Sequence, residues 1–344
     1  MENFFTRLSK CFIIAEIGVN HNGDMILAKQ MIDEAKQSGA DAVKFQTFNA
    51  KSLVSKETPK VKYQESTTSV EETHYEMIKS LELSRDNHFL LKDYCVSRNI
   101  IFLSTPYDVK SARFLHEELD VELFKTASAD LVDLPLHEYI ASTGKPSIVS
   151  VGMATLGEIE NTLRIYKSKI HKDVVLLHCV SNYPCADESL NMRVLKTLRQ
   201  AFQLPVGYSD HSVGNEASIL SIALGAQVIE KHFTLDKKLE GPDHLASSTP
   251  EEFRILSEAI GRAGVMLGSP VKCCQSEELQ MSKVSRKSIV MRKSASAGTV
   301  LTKDHLTLKR PGSGLGSEMM GFIIGLKLSV DKSEDDIVSA NDFS

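Results

Sequence analysis

Gly207 to His244 reads GYSDHSVGNEASILSIALGAQVIEKHFTLDKKLEGPDH. The short apolar run Val206–Ser209 leads into the polar triplet Ser209-Asp210-His211. Asn215 can cap a helix running to Leu224, and Gly225 stops it. Ala226–Leu235 then alternates as a strand does, with Val228, Glu230 and His232 on one face and Ile229, Lys231 and Phe233 on the other. Two strands joined by a helix of this length are expected to be parallel neighbours about 5 Å apart. His211 and His232 then stand near their carboxyl ends, where two imidazoles can share one metal ion. One histidine at a strand end is more often a hydrogen-bonded structural residue. Two at equivalent ends, followed by Gly241-Pro242-Asp243-His244, favour a site. With no cysteine beside them they do not suit closed structural zinc. An open site completed by water and substrate oxygens fits manganese, magnesium, cobalt or catalytic zinc.

Outward from this stretch the same beat repeats. Phe12–Gly18 reads as a buried strand, Met25–Ser38 as a helix and Ala42–Thr47 as a strand. A long polar insertion follows, from Phe48 to Arg85, carrying Lys51, Lys56, Lys60, Lys62 and Glu71-Glu72; a loop of that length points to function or mobility. The pattern resumes with a helix at Asp86–Arg98, a strand at Ile100–Ser104, a helix at Val109–Leu119, a strand at Leu123–Ala127 and a helix at Pro135–Ser142. Ser147–Val151 is strand, Gly157–Lys169 helix, Val174–Val180 strand, Asn191–Phe202 helix, and Pro250–Met266 closes with a helix. Eight strand–helix units match a (β/α)8 TIM barrel, which takes about 250 residues. A doubly wound open sheet is the alternative, because sequence does not show closure.

Polar residues fall where a barrel carries its active-site rim. Glu16, Lys44, Gln46, Thr105, Lys125, Ser128, Ser181, Tyr183, Ser209 and His211 lie at or just after the carboxyl ends of expected strands. Lys44 in AVKFQ and Lys125 in LFKTAS sit inside apolar strands, costly positions unless paired or used. Pairing with a neighbouring strand's carboxylate is one explanation. Two lysines facing one rim beside hydroxyls better suit a phosphate or carboxylate.

The chain divides on composition into a barrel over residues 1–268, a polar connector over 269–285 with one helical turn, and a small β-rich module over 286–344. In that module Ser288–Met291 and Val300–Leu301 read as strands, and Lys309-Arg310-Pro311-Gly312 as a cation on a rigid turn. So small a module is marginal alone and is expected to dock onto another surface. Gly312-Ser313-Gly314-Leu315-Gly316 resembles a nucleotide loop only superficially, since no strand–helix crossover follows it.

The 344 residues carry a net charge of -5 without long basic runs, which argues against nucleic acid as a partner. The opening MENFFTRLSKCFIIAEIG is interrupted too soon by Glu16 to read as a signal peptide, and no stretch is long enough to cross a bilayer. Six cysteines without paired Cys-x-x-Cys spacing fit a reduced, cytoplasmic protein.

AEIGVNHNGD (Ala15–Asp24), VKFQTF (Val43–Phe48), STP (Ser104–Pro106), SDH (Ser209–His211), EKHFTLDK (Glu230–Lys237), GPDH (Gly241–His244) and KRPG (Lys309–Gly312) together resemble the sialic acid synthase family, in order and across nearly the whole chain. The resemblance implies a TIM barrel followed by an antifreeze-protein-like (SAF) domain, which reaches over the partner's active site in a domain-swapped homodimer. It implies an enzyme that condenses phosphoenolpyruvate with an N-acylated mannosamine-type sugar to give N-acetylneuraminate and phosphate. The alternative product is N,N'-diacetyllegionaminate, from a 2,4-diacetamido-2,4,6-trideoxy sugar. By motif, phosphoenolpyruvate falls to Lys44, Thr105, Lys125, Ser128, Ser181 and Ser209, and a divalent ion, typically manganese, to His211 and His232. The sugar falls to Gln46, Tyr183, Asp243 and the partner-contributed Arg310, and Glu16 orders or deprotonates water.

Three departures stand out. Ser128-Ala129-Asp130 replaces the more usual Ser-Gly-Glu, Ser181 stands where relatives carry Asn or Thr, and Val151 takes a Thr position. Gly241-Pro242-Asp243 in place of Asp-Ser argues against the pseudaminate branch. Two other readings compete: a metal-dependent aldolase or hydrolase on the same barrel, which needs no phosphate cations, and a non-catalytic sugar-binding protein.

Overall fold

The computed structural model describes residues 4–55, 57–60, 72–169 and 173–343. They fall into two compact units, the chain dividing between Gly268 and Ser269.

The first unit contains eight parallel strands: β1 (Phe12–Gly18), β2 (Ala42–Thr47), β3 (Ile101–Pro106), β4 (Phe124–Thr126), β5 (Ser147–Ser150), β6 (Val174–His178), β7 (Val206–Asp210) and β8 (Ala226–His232). Hydrogen bonding runs in the order β3-β2-β1-β8-β7-β6-β5-β4, and β3 lies against β4. Each strand thus neighbours its sequence neighbours around a nearly closed ring. An open doubly wound sheet needs a reversal of strand order that is absent here, so that alternative falls. A helix follows each strand: α1 (Met25–Gln37), α2 (Arg85–Ser97), α3 (Val109–Arg113, extended by one wider turn), α4 (Leu134–Thr143), α5 (Leu156–Ser168), α6 (Val194–Phe202), α7 (Glu216–Ala223) and α8 (Pro250–Leu267).

Local chemistry accounts for most of the boundaries. The Asp24 carboxylate accepts from the Ile26 and Leu27 amides to start α1, and Thr155 and Thr249 form reciprocal caps with Glu158 and Glu252 at α5 and α8. Asn215 does not cap α7 with its side chain as expected. Its backbone (φ -122°, ψ -5°) is not the extended form that brings a capping oxygen over the first turn, and its amide instead reaches Glu252 O at 3.3 Å.

Strand alternation sorts the core into two layers. Ile13, Ala15, Val43, Phe45, Phe102, Leu176, Tyr208 and Ile229 face the helices. Phe12, Ile14, Ala42, Leu103, Ile148, Val175, Leu177 and Val228 fill the barrel interior together with Phe5. Continuing the interior parity toward the carboxyl ends brings up Glu16, Lys44, Thr105, Lys125, Ser150, Ser209, Glu230 and His232. The same faces that pack the floor therefore point polar groups upward.

The segment expected as a polar loop is partly ordered. Ala50–Leu53 and His74–Ser80 are short helices, the second with a Thr73–Glu76 reciprocal cap. Phe48, Met77 and Leu81 bury against Val19, with Leu53, Ile78 and Tyr107 packed on them. Lys56, Lys62 and Glu71 lie outside the described residues.

In the second unit, Ser276–Glu278 and Leu279–Ser285 are helical, more than the single turn expected. β9 (Ser288–Met291) pairs antiparallel with β10 (Leu306–Lys309) over a core of Ile289, Met291, Leu301, Leu306, Ile323, Leu328 and Val338. Val300–Leu301 is not a strand; Val300 makes one isolated bridge, to Lys327. The Gly-rich run serves this core: Ile289 N donates to Leu315 O, and Leu315 N to Val338 O.

Among the described residues no helix is long and apolar enough to cross a membrane, and all six cysteines are free.

Candidate active site

A cavity of about 270 Å³ opens at the carboxyl ends of the strands. Glu16, Lys44, Gln46, Thr105, Lys125, Ser128, Ser181, Tyr183, Ser209, His211, His232 and Asp243 all line it. Arg310 belongs to the second unit, where it is exposed directly after β10.

At the base of this cavity, above the apolar barrel interior, is a compact charge cluster. Lys44 Nζ lies 2.8 Å from Glu16 Oε2 and donates to Thr105 Oγ1 at 2.9 Å, with Glu230 Oε2 3.7 Å away. Lys125 Nζ is 3.3 Å from Glu230 Oε1, which also accepts from Ser209 Oγ at 2.9 Å. Strand register places the pairs: Glu16 stands opposite Lys44 on one side and His232 on the other, and Ser209 opposite Glu230. The two lysines are thus already paired with carboxylates, the arrangement that sequence ranked second.

The two carboxylates are not equivalent. Burial raises the Glu16 carboxyl, and the nearby Glu230 charge adds to that, outweighing Lys44. Burial also opposes ionisation of Glu230, but Lys125, Lys44 and the Ser209 hydroxyl overcome it and hold that carboxyl low. Glu230 is therefore a fixed anion and Glu16 the carboxyl whose proton moves most readily near neutrality. Burial lowers Lys125, while Lys44, opposed by burial, is raised by Glu16 and Glu230.

On one side of this cluster, hydroxyls and a backbone amide converge. Gly152 N donates to Ser128 Oγ at 2.9 Å, and Ser128 Oγ is 3.0 Å from Cys179 Sγ. A Cβ at Gly152 would lie 2.7 Å from Ser181 Oγ and 2.8 Å from Cys179 Sγ, so only glycine lets the chain approach here. The buried Ser150 Oγ has no hydrogen-bond partner among the described residues and also borders the cavity. Such a group of donors suits a phosphate or carboxylate.

On another side stand the imidazoles, with ring centroids 5.7 Å apart. Tyr183 lies 4.1 Å from the His211 ring and 5.4 Å from His232, centroid to centroid. His211 Nδ1 donates to Val180 O at 2.8 Å, which leaves Nε2 as the lone-pair nitrogen. His232 Nδ1 is buried without a hydrogen-bond partner among the described residues; Asp243 Oδ2 is 3.9 Å away. Burial lowers both histidines, His232 the more because His211 adds to the effect. Burial also lifts Asp243 to about 6. Two neutral imidazoles, one oriented by a carbonyl and one with an unsatisfied nitrogen, are a donor set that fits a divalent cation. No third His, Cys, Asp or Glu joins them as a preformed cluster among the described residues.

The cavity's upper wall is apolar. Val19, Phe48, Leu53, Met77, Ile78, Leu81 and Tyr107 line it. Asp130, by contrast, is outside the lining; its Oδ2 is buried without a hydrogen-bond partner among the described residues, and burial with Asp133 lifts the carboxyl to about 7.

Sequence reasoning missed Glu230, although it had placed Glu230 and His232 on one face. It also missed Ser150 and Cys179, which follow from continuing the interior parity of β5 and β6. The apolar wall had no such signal, because it comes from a segment without strand or long-helix periodicity.

The NeuB family model matches residues 31–272. N,N'-diacetyllegionaminic acid synthase of Legionella pneumophila is 45% identical over 94% of this chain and 92% of its own. Human N-acetylneuraminate-9-phosphate synthase is 37% identical over 95% and 91%. Among solved structures, N-acetylneuraminic acid synthetase from Leptospira borgpetersenii superposes with a TM-score of 0.72 at 37% identity, covering 79% of this chain and 90% of that one. With its barrel, its rim of charges and imidazoles, and the Legionella and human relatives matched over more than nine-tenths of each chain, the chain belongs to the NeuB family.

Proposed function

We propose that this protein condenses phosphoenolpyruvate with an open-chain N-acylated amino sugar, giving a nonulosonic acid and phosphate. The observation that carries the reading is one cavity combining the Glu16–Lys44–Glu230–Lys125 cluster, the Ser128–Gly152–Ser181 donors and the His211–His232 pair. An aldolase or hydrolase would have no use for the first two sets together.

Lys44, Lys125, Thr105, Ser128, Ser181 and Ser209 bind phosphoenolpyruvate through its phosphate and carboxylate. Gln46, Tyr183 and Asp243 hold the sugar with its aldehyde toward the imidazoles. His211 and His232 would hold a divalent cation, manganese by the family's habit; when bound it supplies Lewis acidity at the aldehyde oxygen. Carbon 3 of phosphoenolpyruvate bonds to the aldehyde carbon, which leaves positive charge at carbon 2. Water adds there and gives up a proton, and the tetrahedral intermediate expels phosphate by carbon–oxygen cleavage. Glu16 receives that proton and passes it to the former aldehyde oxygen, the remaining hydroxyl proton leaves with phosphate as the carbon 2 ketone forms, and the Glu16 and Glu230 carboxylates steady the cationic centre. One water is consumed and one phosphate released per condensation.

The apolar wall favours the 6-deoxy, 4-acetamido sugar over N-acetylmannosamine. Val19, Phe48, Leu53, Met77, Ile78 and Leu81 offer no hydrogen bond to a terminal hydroxyl but accept a methyl or acyl group. A hydrophobic pocket discriminates against an added hydroxyl by only about 10²-fold, so both sugars react. The second unit is read as an antifreeze-like domain whose Arg310, within a homodimer, reaches the partner's sugar. Arg310→Ala then weakens use of the sugar more than of phosphoenolpyruvate.

The test is phosphate release from phosphoenolpyruvate with each sugar added separately. Release that requires both substrates, and is faster with the 6-deoxy sugar, supports the reading. No release with any N-acylmannosamine-type sugar rejects it.

A further inference from the structure

A second buried ion pair stands directly behind the imidazoles, on the helix-facing side of the same two strands. Asp210 precedes His211 at the end of β7, Lys231 precedes His232 at the end of β8, and the two are partners in strand register. Lys231 Nζ is 2.8 Å from Asp210 Oδ2 and also donates to Ser212 O at 3.0 Å. Asp210 Oδ1 accepts from Ser212 N at 2.9 Å and Ser212 Oγ at 2.6 Å, while Oδ2 accepts from Ser218 Oγ of α7 at 2.6 Å. Both side chains are almost fully buried, at 4% and 0% exposure. Neither lines the cavity, so no step of the proposed condensation uses them.

We propose that the Asp210–Lys231 pair is a positioning brace that fixes the spacing of His211 and His232. The contacts fall on the residues flanking His211 on both sides and on the one preceding His232. Because successive side chains of a strand point to opposite faces, a tether at 210 and 231 on the outer face sets where 211 and 232 emerge on the inner one. Breaking a buried pair by removing one partner is destabilising, whereas replacing both with neutral groups is often close to neutral. A pair kept only for stability is therefore dispensable as a pair, and a brace is not.

This inference rests on reading the two histidines as a cation site, and the experiment separates the two. Mn2+ affinity is measured by titration calorimetry on the full chain, with thermal melts, for wild type, Lys231→Met and Asp210→Asn/Lys231→Met. The single variant should melt lower and bind Mn2+ about 10–100-fold more weakly, the usual effect of losing support behind a ligand. The double variant should regain the melting temperature yet still bind at least tenfold more weakly. Wild-type affinity in the folded double variant overturns the brace. If the wild type itself binds no Mn2+, the cation reading fails, and crystal structures of wild type and double variant judge the brace instead. Imidazole separation changed by about 0.5 Å or more supports it, and unchanged separation overturns it. Should the charge variants not fold, Ser212→Ala, which keeps both charges, takes the same two readouts with the same criteria.

Discussion

The two ends of the barrel interior are made by the same strands with the same alternation, yet they do opposite work. At the floor, Phe12, Ile14, Leu103, Val175 and Val228 pack with Phe5 in a sealed apolar layer. Two residues further along β1, β2 and β8, the inward positions become Glu16, Lys44 and Glu230. The floor side chains bury apolar area, each a gain of roughly 1.5–3 kcal/mol. The mouth buries charges that cost free energy unless fully compensated. The barrel spends stability at one end where the other supplies it, and that asymmetry marks which end handles substrate.

The largest expected effect comes from the charge that most readily moves a proton. Glu16→Gln should lower kcat by about 10²–10⁴, the range for a general acid–base group. The wild-type rate should fall as pH drops through a raised Glu16 pKa, and the variant should lose that limb. Its melting temperature at pH 8 should also fall, because buried Lys44 loses its 2.8 Å carboxylate partner and keeps only Glu230 at 3.7 Å, so kcat is read on the folded protein. An unchanged kcat would remove Glu16 from the chemistry. Next in size, Lys125→Met should lower kcat/KM for phosphoenolpyruvate by about 10²–10³. It also leaves Glu230 with less compensation, so here stability falls as well.

The third test breaks the comparison from the other end. Leu103→Ala at the floor should cost about 2–5 kcal/mol of stability, measured by urea unfolding, with kcat of the folded protein within about twofold of wild type. A large loss of kcat without loss of stability would mean that floor and mouth are not separate in function.

Much of this division was legible in the chain, for a physical reason. Apolar alternation shows the strands, so an interrupting charge such as Lys44 or Lys125 stands out and locates the rim. The same reasoning fell short where partners meet only in space. Glu230 was visible as a residue on the His232 face, but that it compensates Lys44 and Lys125 depends on strands far apart in sequence closing into a ring. The wall built by Phe48, Met77 and Leu81 escaped notice because its apolar residues are spread through a polar stretch with no sustained period. Asn215 misled because a good capping residue is defined by type, while capping needs an extended backbone that Asn215, at φ -122° and ψ -5°, does not have.

The smallest effect probes the border of the mouth, at Asp243. Burial raises this carboxyl to about 6 from an ordinary 3.8, so the folded state prefers it protonated. A carboxyl raised in this way contributes stability that is present below its unfolded pKa and lost as pH rises through the folded value. Between about pH 4 and pH 6 the wild type should therefore lose some stability relative to Asp243→Asn, up to roughly 1–3 kcal/mol, and the difference should be flat above pH 7. Urea midpoints at pH 4 and pH 7.5 measure it. A difference of the opposite sign would mean that ionised Asp243 is compensated in the fold, by His232 across their 3.9 Å separation, and that the mouth is held together by this pair instead of costing stability at it.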